Sequence, residues 1–224
     1  MVFTTLDLSK QSGVVETDNL GSGTASSSTV LFGDQTFKTA PSGSHVLLAQ
    51  VESTTNDGTI GVSDKFSTTY DFYKFYLMWK QTADDSDTRF RWLTSGSTEV
   101  SGSKYIYTSD RHQIEPNGTT YAGMDHSGYN QSYALVANSL PSNSEVHFHT
   151  LDWTIYNPYK GGPHNRAKVV GTKSYVRTDD VWRGGTISID YNDGSSDNYG
   201  GFKLWAGTGS MTDYKYQLYG VKGS

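Results

Sequence analysis

From His45 onward, apolar residues return at every second position, and the 3.6-residue spacing of a helix is absent. Successive side chains of a strand point to opposite faces, so this alternation specifies strands with one face in a core and the other in solvent. In Gly185-Thr186-Ile187-Ser188-Ile189-Asp190-Tyr191, the residues Ile187, Ile189 and Tyr191 share the inward face. In Arg89-Phe90-Arg91-Trp92 the aromatics take one side and the arginines the other. Tyr70 to Trp79 breaks the rule: Tyr70, Phe72, Tyr76 and Met78 fill one face, and Tyr73, Phe75, Leu77 and Trp79 fill the other. A strand apolar on both faces is either central and covered twice, or has one face at a subunit contact. Asn192-Asp193-Gly194 is a hairpin signal, because Gly takes the positive φ that tight hairpins need. Asp84-Asp85-Ser86-Asp87, Pro116-Asn117-Gly118 and Asn157 to Pro163 supply further turns. The spacing predicts about ten short strands. The expected fold is all-β: an antiparallel β-sandwich, jelly-roll-like, over residues 45–224, preceded by an extended N-terminal arm.

Residues 1–44 form a separate compositional zone that ends at Pro41-Ser42-Gly43-Ser44. Phe3, Leu6, Leu8, Val14, Val15 and Leu20 stand singly among Ser, Thr, Gly and Asp, too sparse to bury a core. The zone is either a disordered tail or an arm that orders against sister chains or a neighbouring protein. The regular placement of Leu and Val favours the arm, whose docking contacts would be Leu6, Leu8, Leu20, Leu31, Phe32 and Phe37.

Composition excludes several functions. Only 34% of the 224 residues are hydrophobic while 13% are aromatic, so either the aromatics carry the core or part of the burial lies between subunits. The net charge is −5 and the basic residues are scattered, which argues against displacing counterions from nucleic acid. There is no cysteine, and so no disulfide, thiol chemistry or Cys-based zinc site. The N-terminus has no basic segment followed by an apolar one, and no run approaches the ~18 apolar residues of a membrane helix. No Gly-x-Ser-x-Gly elbow and no phosphate loop occurs, and a polysaccharide-cleaving β-helix would show a repeat that is absent. The chain is therefore read as a non-enzyme.

Leu20-Gly21-Ser22-Gly23-Thr24-Ala25-Ser26-Ser27-Ser28-Thr29, followed by Val30-Leu31-Phe32-Gly33-Asp34-Gln35-Thr36-Phe37, resembles a linker of bacteriophage tail-fibre proteins. In that linker a Gly/Ser/Thr run leads to an apolar-Leu-x-Gly-Asp-x-Thr-aromatic close. At the other end, Phe202-Lys203-Leu204-Trp205 and Tyr216-Gln217-Leu218-Tyr219-Gly220-Val221-Lys222 resemble the last two strands of small β-sandwich virion proteins of tailed phages. Phe66 to Lys74 and Thr154 to Pro158 fit the same class more loosely. The resemblance implies a virion structural protein made in a bacterial cytoplasm. It would be a tail-fibre or tail-tip adhesin, trimeric, attaching to a host surface glycan. The alternative is a capsid decoration or head-fibre protein gripping the shell through its arm.

Candidate binding residues are Tyr121, His126, Tyr129, Tyr133 and Tyr159, near Gly- and Asn-rich turns, since Tyr offers a large rigid face and a hydroxyl. Each could equally be a rim or core residue. No cofactor is expected, apart from an axial metal at His147 and His149. In a strand these share a face, and the pair resembles the His-x-His motifs with which some phage fibres hold iron along a threefold axis. Leu151, Trp153 and Ile155 share that face too, which suits core packing equally well. Asp190, Asn192, Asp193 and Asp197 could offer oxygens to Ca²⁺, but turn formation accounts for them and their spacing is not that of an EF-hand.

Overall fold

The computed structural model describes residues 29–31, 37–39, 45–142, 148–159, 166–191 and 198–222. The chain divides into two units, Met1–Ser44 and His45–Ser224. In the first, β1 (Thr29–Leu31) pairs antiparallel with β2 (Phe37–Thr39), so Leu31 and Phe37 are cross-strand partners. Leu6, Leu8, Leu20 and Phe32 lie outside the described residues.

The second unit is an antiparallel β-sandwich, and no helix occurs among the described residues. Its strands are β3 (His45–Ser53), β4 (Thr59–Val62), β5 (Phe72–Gln81), β6 (Ser86–Thr94), β7 (Tyr105–Ile114), β8 (Thr120–Gln131), β9 (Ala134–Leu140), β10 (His149–Tyr156), β11 (Lys168–Val176), β12 (Trp182–Tyr191), β13 (Tyr199–Ala206) and β14 (Met211–Val221). One sheet has eight strands in the order β3-β14-β5-β10-β11-β12-β7-β8. The other has four, β4-β13-β6-β9. The chain crosses repeatedly between the layers, so the core is assembled from residues distant in sequence.

Aromatics carry that core. Trp79, Trp92, Trp153, Phe75, Phe90 and Phe202 are fully buried, and Phe75 meets Phe202 edge-on at 4.8 Å. Large rings fill the space between sheets with few side chains, which is how a chain of low apolar content still closes an interior. The alternation resolves as expected at Ile187, Ile189 and Tyr191, which are 1%, 0% and 4% exposed. It also holds at Phe90 and Trp92, with Arg89 and Arg91 on the opposite face. Strand β5 is central, between β14 and β10. Tyr73, Phe75, Leu77 and Trp79 enter the core, while Tyr76 and Met78 stay about two-fifths exposed on the open face.

Buried hydroxyls find partners. Tyr105 donates to the Val100 carbonyl at 2.8 Å and accepts from the Trp92 amide at 2.9 Å, and burial pushes its phenol well above the usual range. Tyr105→Phe therefore leaves both backbone groups unpaired in the core. A stability loss of about 1–3 kcal/mol is expected from denaturant unfolding. An unchanged midpoint would show that the hydroxyl is not needed there.

Three sequence expectations change here. Among the described residues the sandwich has twelve strands rather than about ten, and the stretch 120–131 is one of them. His149 is 1% exposed and packs against Trp79 with ring centroids 5.3 Å apart. It lies inside the sandwich with Leu151, Trp153 and Ile155 rather than on a surface a threefold axis could reach, and His147 lies outside the described residues. Asp190 sits on β12 with Arg166 4.0 Å away, and Asn192, Asp193 and Asp197 lie outside the described residues.

Candidate functional site

Two arrangements of polar residues stand out, one inside the sandwich and one on its open face. The inner one begins with a β-bulge. Ser109 pairs with His126 and Asp110 with Met124, so Asp125 is the extra residue of β8. A bulge breaks the alternation of faces, and here Asp125 and His126 both enter the cluster against β11 and β12. Asp125 Oδ2 accepts from Lys173 Nζ at 2.6 Å, Tyr175 OH at 2.8 Å and His126 Nε2 at 2.9 Å, and Oδ1 accepts from Arg183 Nη1 at 2.8 Å. Lys173 also donates to Ser109 Oγ and the Val136 carbonyl, both at 3.1 Å, and Arg183 Nε donates to Gln113 Oε1 at 3.1 Å.

Burial would raise the Asp125 carboxyl, but the hydrogen bond from His126 and the charge of Lys173 outweigh it and hold the group far below the carboxylate range. Burial also lowers Lys173 against the pull of Asp125, with Arg183 adding to that lowering. Two cations, Lys173 and Arg183, thus share one carboxylate whose side chain is 0% exposed. A carboxylate so enclosed presents no surface to a substrate. The cluster is a strut tying β8 to β11 and β12.

The outer arrangement lies on the face of the large sheet turned away from β4, β13, β6 and β9. The register sets out its rows. Gln217, Tyr76, Asp152 and Thr172 lie side by side across β14, β5, β10 and β11. In the next row, Met78, Thr150, Ser174 and Gly184 run from β5 to β12. Short side chains on β10 and β11 thus form a floor between two raised rings. One wall is Tyr76. The other is Trp182, whose Nε1 donates to Ser174 Oγ at 3.1 Å. Its indole leans over Gly184, where an added Cβ would stand 2.8 Å from the ring. The hollow between the walls has a volume of about 820 Å³. Burial and the Asp152 charge push the Tyr76 phenol up, keeping its hydroxyl a neutral donor. Lys215, at the rim, is tied to Glu52 at 3.1 Å.

The structure does not gather the five residues singled out from sequence. Tyr121 and Tyr129 are 48% and 66% exposed, on edge strand β8 rather than in loops. His126 is enclosed in the inner cluster. Tyr133 packs under the Arg89 guanidinium at 4.7 Å and edge-on to Trp205 at 6.0 Å. Tyr159 is half-buried against the core. The groove was not foreseen from the sequence, where the second apolar face of Tyr70–Trp79 was read as covered by another layer or by a subunit contact. No group of three or more His, Cys, Asp or Glu residues that could hold a metal occurs among the described residues.

No family model matches the chain, and no curated protein sequence matches it. A solved structure described as that of infectious bursal disease virus, Gt strain, is similar to it at 12% identity with a TM-score of 0.13. The match covers 84% of this chain and 45% of that one, so the chain spans less than half the length of that neighbour. Superposition this poor carries no weight for fold or function.

Proposed function

We propose that the chain is a non-enzymatic structural protein of a tailed-phage virion, a tail-fibre or tail-tip adhesin that attaches to a host surface glycan. The observation that carries this reading is the open face of the large sheet, where exposed aromatic rings flank a floor of hydroxyl-bearing side chains. The sequence resemblance of both chain ends to phage virion proteins supports it. The buried charges of Asp125, Lys173 and Arg183 are paired with one another in the inner strut. Residues 1–44 would join the sandwich to the particle or bundle it with sister chains as a trimer. Several copies would then bind together through effective concentration, so that weak single sites suffice.

Adsorption competition tests the reading. Host cells preincubated with the purified chain are expected to adsorb fewer of the phages that carry it, in a dose-dependent way. Unchanged adsorption at saturating protein would contradict the adhesin role. A chain lacking residues 1–40 is expected to keep a folded sandwich, by circular dichroism and thermal unfolding, yet fail to enter virions. Normal incorporation of that truncated chain would remove the docking role from the arm.

A further inference from the structure

We infer that the groove between Tyr76 and Trp182 is the ligand site, and that it takes a short stretch of uncharged saccharide. The inference rests on the attachment reading above and names the site and ligand class within it. Tyr76 stands on β5 and Trp182 on β12, separated by β10 and β11. Three strand spacings across the sheet and a four-residue offset along the strands set the two wall residues roughly 20 Å apart at the backbone. The Trp182 indole reaches back over Gly184, one row from Tyr76, and the hollow left between the rings has room for a short oligosaccharide. Its floor presents Thr150 and Asp152 from β10, and Thr172 and Ser174 from β11. A pyranose has exactly the two surfaces this slot offers partners for: apolar C–H faces that lie on aromatic rings, and equatorial hydroxyls that bond to hydroxyls and carboxylates.

The Trp182 wall is held before any ligand arrives. The Trp182 indole is pinned at its nitrogen by Ser174 and lies over Gly184, the residue whose missing Cβ makes room for it. Little side-chain freedom remains to be lost on binding, which favours a platform over a mobile side chain. Charge narrows the ligand further. Asp152 makes no ion pair among the described residues, whereas Lys215 is already tied to Glu52. The titratable side chains lining the groove are Tyr76, Asp152, His112, Lys173, Lys215 and Tyr216, and the Lys173 ammonium is turned to the other side of the sheet, into the inner strut. A phosphorylated or sialylated chain would therefore meet an uncompensated carboxylate in the floor of a protein of net charge −5. A neutral sugar meets a hydrogen-bond acceptor instead.

The experiment uses the full chain on a printed panel of neutral gluco-, galacto- and manno-oligosaccharides, with sialylated and phosphorylated glycans alongside. Hits are followed by titration with the free sugar. Neutral oligosaccharides are expected to bind, and Trp182→Ala and Tyr76→Ala each to weaken binding by about tenfold or more. Gly184→Ala, which keeps the indole but lifts it from the sheet, is expected to weaken binding as well. Met124→Ala, an exposed change on β8, is expected to leave it intact. Thermal unfolding of every variant separates lost binding from lost fold. Binding that survives both Trp182→Ala and Tyr76→Ala would overturn the groove while leaving a glycan adhesin standing. Binding to anionic glycans alone, or to none, would overturn the ligand class. A dimer that Trp182→Ala dissociates would show that a second copy, not a sugar, covers the groove. Adsorption competition by the wild-type chain reports on the adhesin role independently of all four outcomes.

Discussion

Asp125→Ala is expected to destabilise the sandwich by about 3–5 kcal/mol, enough to leave much of the protein unfolded, because it strands Lys173 and Arg183 as uncompensated buried cations. The cost arises from the charges left behind more than from the bonds lost. Asp125→Asn keeps the shape and some acceptor capacity but not the charge, and is expected to fall between wild type and alanine in urea unfolding. The same residue sets the acid limit. Its folded-state carboxyl lies far below the value of about 3.9 for a free aspartate in an unfolded chain. Its contribution is therefore fully present above that unfolded value and is lost as pH falls below about 4 toward the folded one. The wild-type melting temperature is expected to drop steeply below pH 4, and the part of that drop due to Asp125 to vanish in Asp125→Asn. Identical pH profiles for the two proteins would show that the strut does not govern acid stability.

Ile189→Asp is expected to prevent folding altogether. Ile189 is 0% exposed and pairs with Val169 on one side and Tyr107 on the other, with no cation among those neighbours. An ionised carboxylate there has neither water nor a partner, and even the protonated acid costs several kcal/mol. Expression in the insoluble fraction, or a far-ultraviolet spectrum without strand signal, is the expected readout. Ile189→Val removes only a methylene, at about 0.5–1.5 kcal/mol, and is expected to fold. A soluble and cooperatively unfolding Ile189→Asp would mean that β12 is not packed as described.

Alternation made much of this fold legible. It placed Ile187, Ile189 and Tyr191 inside, and it set Phe90 and Trp92 opposite Arg89 and Arg91, because side-chain direction along a strand is a local property. The arginines then found partners that the pattern does not show: Arg91 lies 5.1 Å from the Trp205 ring, and Glu99 sits 2.8 Å from its guanidinium. Strand β8 was hidden. Thr120 to Gln131 carries glycines and polar residues without alternation, and it is held extended by pairing along β7 rather than by its own propensity. Gly128 shows why the composition is what it is, since a Cβ there would meet the Tyr107 ring at 2.3 Å.

The inner strut and the groove were hidden for a different reason. Asp125 meets Lys173 and Arg183 across 48 and 58 residues of chain, and only the bulge turns it toward them. No local pattern encodes a bulge or a strand order. The groove likewise depends on β5, β10, β11 and β12 lying side by side, so that Tyr76, Asp152, Thr172 and Ser174 become neighbours. Tyr76 stood out only within a strand apolar on both faces, and no local pattern joined it to Asp152, Thr172 and Ser174.

The most direct test of the account is immunogold labelling of intact virions with antibody raised against residues 45–224, viewed by electron microscopy. The account predicts gold at the tail, on fibres or tip. Gold over the capsid would contradict the adhesin and assign the chain to decoration of the head, and intact virions without gold would contradict a place on the particle surface altogether.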